Sequence, residues 1–196
     1  MTKGRLEAFS DAVIAIILTI MVLELKVPHG TDFESLRPLI PVFSSYVMSF
    51  VYLGIYWNNH HHMLHTVKQV NGAILWANMH LLFWLSLIPF TTAWVGEHDF
   101  AIVPVALYGF VLLMAGVAYY ILARTLVAHH GKDSLIARAL GADFKGKVSV
   151  LFYGIAIGLA FFSPMVAFSI YVLVAVMWLV PDRRMANVLS QDRDHA

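Results

Sequence analysis

Apolar positions in this chain come in long blocks separated by short polar breaks. Six stretches read as near-continuous apolar runs: 6–25, 38–60, 70–94, 102–127, 147–163 and 165–181. A helix needs about 20 apolar residues to cross the hydrocarbon layer of a bilayer, so each run is a candidate transmembrane helix. The fifth and sixth are separated only by Ser163-Pro164. Proline disfavours helix in the residue before it and opens a new helix well, so this dipeptide reads as a tight hairpin. Pro28-His29-Gly30-Thr31-Asp32 follows the first run, and Gly96-Glu97-His98-Asp99 follows the third. Pro89 inside the third run predicts a kink. Gly109, Ala115 and Gly116 on the fourth predict close helix packing. The segment from Arg124 to Lys147 is the longest polar connection.

Composition agrees with the blocks. Of the 196 residues, 60% are hydrophobic and only 13% charged, about half the charge of an ordinary soluble domain. Mean hydropathy is +0.73. A soluble domain of this size cannot hide that much apolar surface, and a disordered chain or coiled coil is excluded on the same ground. Cysteine is absent, which removes disulfides, thiolate metal sites and cysteine nucleophiles. A net charge of +1 provides no basic field for nucleic acid. With six spans and no soluble domain or repeat, residues 1–196 read as one domain. The first run carries Glu7 and Asp11 near its start and is not followed by a small-residue cleavage site, so it does not read as a signal peptide.

Six spans place both termini on one side. That side collects Lys3, Arg5, Lys68, Arg124, Lys132, Arg138, Lys145, Lys147, Arg183, Arg184 and Arg193, leaving only Lys26 and Arg37 opposite. The bias predicts cytoplasmic termini. The basic segment between Arg124 and Lys147 sets topology or touches anionic lipid. Trp57, Trp76, Trp84, Trp94 and Trp178 mostly suit interfacial belts. Glu24 and Lys26 either bias the local potential for cations or mark the membrane edge.

The first run holds the most information. Asp11 lies one to two turns into it. An acid inside a span costs several kcal/mol unless paired or hydrated, which calls for a partner on another helix or a position snorkelling to water. Ile16, Thr19, Ile20 and Leu23 fall at i, i+3, i+4 and i+7, on one stripe, and Asp11 points about 140° away from Ile16. By pattern alone such a stripe faces lipid or core by default, with a pore as the sharper reading.

His60, His61, His62 and His65 form a second cluster at the end of the second run. His61 and His65 share a helical face at a metal-capable spacing. The other histidine pair, His129-His130, has no acidic companion at helical spacing, and a ligand motif without companions is weak. An interfacial patch, with one histidine buried against Asp11, is the plainer reading.

Arg5-x-x-x-Phe9-Ser10-Asp11 at the start of a first span resembles the signature of the transmembrane protein 175 family, potassium-permeable channels of bacteria, archaea and animal lysosomes. The run through Val22-Leu23-Glu24-Leu25-Lys26-Val27-Pro28 is similar too, as are Trp57-x-x-His60-His61, Leu75-Trp76-x-Asn78 and Leu85-x-Leu87-Ile88-Pro89-Phe90. The resemblance covers roughly residues 3–95. It implies one six-helix unit per chain, assembled as a homotetramer in which the first helix of each subunit lines the pore. Animal members carry two such units and work as dimers.

Carried over, Ile16 is the main constriction, Thr19 and Leu23 follow on the same stripe, and Ile20 contributes where the register allows. Arg5, Phe9, Ser10 and Asp11 are implied to form a polar network with His60 or His61, Trp76 and Asn78. Some relatives place a hydroxyl one position before the isoleucine, where this chain has Ala15. Four copies of one helix enclose a pore more readily than six helices of one chain. A ring of isoleucines closes such a pore by dewetting. With no Thr-Val-Gly-Tyr-Gly run and no acidic ring on the stripe, side chains and pore size must discriminate, so selectivity over sodium is expected to be modest.

The expectation is therefore an all-α, polytopic membrane protein with six transmembrane helices per subunit, the first lining the central pore of a homotetramer. It passes potassium passively across the cell membrane, with K+ as permeant ion, membrane lipid and its own copies as partners, and no nucleic acid. It needs no cofactor or bound metal and is not an enzyme. The competing reading is a proton-coupled or divalent-metal transporter using Asp11 and the histidine cluster at 60–65.

Overall fold

A computed structural model describes residues 2–67, 69–141 and 143–179. Lys68, Arg183, Arg184, Arg193 and the last two positions of the sixth predicted span lie outside the described residues. Every regular element among the described residues is helical: α1 (Lys3–Leu23), a 3-10 helix (Phe33–Leu39), α2 (Ile40–His65), α3 (Gly72–Ser86), α4 (Ile88–Glu97), α5 (Ile102–His130), α6 (Leu135–Leu140), α7 (Phe144–Ala160) and α8 (Pro164–Leu179).

Local chemistry sets the ends. The Asn71 side chain accepts from Ile74 N at 2.9 Å and starts α3. Asp143 accepts from Gly146 N at 3.2 Å and starts α7. Each satisfies one of the first-turn N–H groups that a helix cannot pair internally. Gly131, at φ 91, ends α5 with its N–H on Val127 O at 2.9 Å. The Ser163-Pro164 break is present: Ser163 N donates to Leu159 O at 2.8 Å, and Pro164 opens α8.

Three boundaries differ from the sequence expectation. The third span is two helices meeting at Leu87. Pro89 has no N–H for the Leu85 carbonyl, and that carbonyl accepts instead from Leu87 N. The second span runs on through all four histidines to His65. The connection between Arg124 and Lys147 is mostly helical, because α5 continues to His130 and α6 occupies its middle.

Among the described residues, four segments are long and apolar enough to cross a membrane: Lys3–Leu23, Phe33–His65, Gly72–Glu97 and Ile102–His130, with Pro164–Leu179 a shorter apolar helix. α5 is central, packed against α3, α4, α7 and α8, whereas α1 sits at the side, packed chiefly against α2, α3 and α4.

Hydroxyls tie the core together. Thr92 donates to Ile88 O at 2.6 Å, so Ser49 donates to Thr92 (2.6 Å) and Tyr108 donates to Ser49 (3.0 Å). Tyr52 donates to Tyr171 O at 2.6 Å, Tyr153 to the Tyr52 hydroxyl at 3.3 Å, and Tyr171 to Val105 O at 3.3 Å. In a membrane, where water cannot satisfy them, such groups must find internal partners. Gly109 faces the Tyr171 ring so closely that a Cβ would lie 1.9 Å from the phenol oxygen, whereas a Cβ on Gly116 would meet nothing nearer than 3.8 Å. Gly109 is thus the close-packing glycine; Gly116 borders a cavity.

The bundle has two chemically different ends. One holds the start of α1, the end of α2, the end of α5 and the start of α7, with Lys3, Arg5, Arg124, Lys132, Arg138, Lys145 and Lys147. The other holds Lys26 and Arg37, the former on Glu97 at 2.6 Å. That contact spends the charge of Lys26 on a neighbour and holds its ammonium pKa up.

Candidate functional site

α1 has two faces. Leu6, Ser10, Ile14, Ile17 and Met21 are buried against the bundle. The spacing of three and four residues is that of a single helical stripe. The opposite stripe is bare: Ile16 is 57% exposed, Ile20 42% and Leu23 80%, and Thr19 lies between them, also exposed. The Thr19 hydroxyl donates back to the carbonyls of Ala15 (3.0 Å) and Ile16 (2.9 Å). Its hydrogen is committed to the helix, so its free lone pairs face outward, which is what a cation requires. Ile16 and Ile20 also line an open groove of about 530 Å³, whose far wall includes Ser86, Pro89 and Phe90 at the α3–α4 break.

Two adjacent residues of α1 fix its rotation. The Ser10 hydroxyl donates to Leu6 O at 2.8 Å and accepts from Asn78 Nδ2 at 2.9 Å. Asn78 Oδ1 meets His60 Nε2 at 2.7 Å. With the Asn78 amide nitrogen committed to Ser10, its oxygen must accept, so His60 carries the proton on Nε2. All three side chains are fully buried. The chain joins α1 to α3 and α2.

Asp11, the next residue, accepts from Trp57 Nε1 at 3.0 Å. Trp57 stacks on His61, with ring centroids 6.0 Å apart, and His61 meets His65 edge-on at 4.8 Å. The residues picked from the sequence thus divide. Ser10, His60 and Asn78 form one cluster, and Asp11 joins His61 only through Trp57. Arg5, Phe9 and Trp76 face outward. By its type Trp57 suits the interfacial belt; its spacing of three residues from His60, on the face toward α1, is the sequence signal for its contact with Asp11. The histidine buried here, His60, sits on Asn78 and not on Asp11. Among the described residues no group of three or more His, Cys, Asp or Glu is arranged to hold a metal ion.

Residues 5–89 match the family model described as endosomal/lysosomal potassium channel TMEM175. A protein named a potassium channel from Chryseobacterium sp. strain P1-3 is 54% identical over 192 residues, 98% of this chain and 100% of the relative. The chain belongs to the TMEM175 family. A second relative named a potassium channel, from Streptomyces collinus, is 32% identical across 90% of this chain and 91% of its own. The solved structure of a lysosomal potassium-selective channel TMEM175 homolog from Chamaesiphon minutus superposes with a TM-score of 0.76, at 28% identity, over 91% of this chain and 96% of that one. The family segment runs from Arg5 to Pro89, so it encloses the whole α1 stripe, both polar contacts and the α3–α4 break.

Proposed function

We propose that this membrane protein is the subunit of a potassium channel, with K+ passing through a central pore lined by α1 from four copies. The bare stripe of Ile16, Thr19, Ile20 and Leu23 carries the reading. Ser10 and Asp11 hold the other side of the helix, so the stripe is presented away from the bundle in a fixed register. Family membership and relatives named potassium channels along their whole length support the ion. Channels are not enzymes, and neither is this chain. A proton-coupled or divalent-metal transporter has no comparable support, since the family model and these relatives are named potassium channels.

In the assembly we infer, each chain crosses the cell membrane six times, α3 and α4 serving as one broken crossing. The basic end, with both termini, is cytoplasmic. Four Ile16 side chains form the narrowest ring and close it by excluding water. Four Thr19 hydroxyls, whose hydrogens bond their own helix, offer oxygen lone pairs one turn further on. Arg5, Phe9 and Trp76, bare in one subunit, are available for contacts between neighbours.

The test is potassium flux from liposomes. Wild-type protein passes potassium faster than sodium. Ile16→Asn, which wets the ring, raises flux of both ions and weakens the preference. Unchanged flux in Ile16→Asn, with the oligomer intact, refutes the gate.

A further inference from the structure

A cavity of about 370 Å³ opens between α2, α5 and α7 at the basic end of the bundle, away from α1. We propose that it is a lipid site, holding one acyl chain of a phosphatidylethanolamine-type lipid, with the head group on Asp143 and Lys147. The proposal does not depend on the pore reading.

The volume falls in the range of about 300–1,000 Å³ typical of small-molecule sites. Its inner wall is formed by Tyr52 and Tyr153, whose hydroxyls are already spent on Tyr171 O and on each other. Apart from the Tyr56 hydroxyl the inner lining is mostly apolar, and mostly apolar cavities hold water poorly. An empty one forfeits the dispersion contacts of its lining. Gly116 keeps the space open, since a Cβ there would point at Tyr56 Oη, 3.8 Å away, and Tyr153 Cε2, 4.0 Å away. In a bilayer the apolar occupant at hand is an acyl chain.

The mouth selects the head group. Asp143 and Lys147 line the cavity at the start of α7. They form no ion pair with each other. Asp143 places one oxygen on Gly146 N. Burial pushes its carboxyl pKa up, against the smaller opposing pulls of the Gly146 N–H and of the Lys147 charge. A carboxylate and an ammonium side by side but unpaired suit a zwitterion: the lipid ammonium on Asp143, the phosphate on Lys147. A choline head lacks N–H donors, and a glycerol head lacks the cation.

Native mass spectrometry of the intact purified assembly decides the matter, with phosphatidylethanolamine, phosphatidylcholine and phosphatidylglycerol offered in turn. Phosphatidylethanolamine should be retained at one per subunit, about tenfold over the other two, the size of one charge-assisted hydrogen bond. Gly116→Leu, filling the cavity, should abolish retention with the assembly mass unchanged. Asp143→Asn, which keeps the Gly146 cap, should erase the head-group preference and leave chain binding. Equal retention of the three lipids by wild type, or full retention by Gly116→Leu, overturns the proposal. Should Gly116→Leu not assemble, Asp143→Asn decides alone, and an undiminished preference overturns it.

Discussion

Replacing Asn78 with leucine is the most informative single perturbation of the α1 anchor. The two side chains share the same branched heavy-atom skeleton, so the change deletes hydrogen bonds while keeping the overall shape. Ser10 loses the donor at 2.9 Å but keeps its own bond to Leu6 O. His60 loses its acceptor at 2.7 Å and has nowhere else to turn, being 1% exposed. An orphaned buried donor costs about 1–3 kcal/mol, and a hydrogen bond between membrane helices about 0.6 kcal/mol on average. The sum, roughly 2–4 kcal/mol, corresponds to a fall in Tm of roughly 3–14 °C for a chain of this length.

Removing the orphan should reverse most of that loss. His60→Phe combined with Asn78→Leu replaces both partners by apolar groups, which is close to neutral when shape is kept. The assay is thermal unfolding of the detergent-solubilised assembly, followed by tryptophan fluorescence, for wild type, both single variants and the double variant. Thr125→Ala serves as control, because its hydroxyl bonds only the Ile121 carbonyl of its own helix; the change should stay within about 0.5 kcal/mol. Strictly additive losses in the double variant would refute the His60–Asn78 bond as the anchor.

Trp57→Phe keeps the stack on His61 and removes the N–H that Asp11 accepts; it should lower stability by about 1 kcal/mol and raise basal flux by loosening α1, both read on the same reconstituted sample. Gly109→Ala forces a methyl against the Tyr171 phenol and should cost about 1–3 kcal/mol, whereas Gly116→Ala should leave Tm unchanged, a contrast that one melting experiment checks. Asp143→Asn should raise Tm at neutral pH. Burial raises the Asp143 pKa above its unfolded value, so the charged form is a burden above that pKa and is relieved as pH falls through it. The advantage of the variant should therefore shrink on acidification, and an advantage that widens instead would contradict the assignment.

Much of the fold could be read from the chain because its signals are local. Apolar blocks gave the helices to within a few residues, Ser163-Pro164 gave the α7–α8 hairpin, and Pro89 gave the position of a break, though not its depth. The Arg5 to Asp11 signature led to the family, and two of its residues, Ser10 and Asp11, hold hydrogen bonds to α3 and α2. What escaped is long-range. Asp11 carries a charge and drew attention, yet the fully buried anchor is its neighbour Ser10, whose type is unremarkable in a helix. The Trp57–Asp11 contact joins residues 46 positions apart, and only the three-residue spacing of Trp57 from His60 points toward it. The tyrosine ties among α2, α5, α7 and α8 are invisible for the same reason. Gly109 and Gly116 look alike in sequence, seven residues apart, and only the neighbouring helices make one a contact and the other a cavity wall. Arg5, Phe9 and Trp76, which the resemblance placed in the same network, stand exposed instead.

The absence of native cysteine allows a direct test of which face of α1 meets the ion path. Single cysteines at Ile16, Thr19 and Leu23, and at Ile14 and Ile17 on the buried face, can be introduced into an unreactive background and recorded in planar bilayers while a charged methanethiosulfonate reagent is added. The account predicts irreversible block of potassium current at positions 16, 19 and 23 and none at 14 and 17. Block confined to 14 and 17, or no block at any stripe position in channels that still conduct, would contradict it.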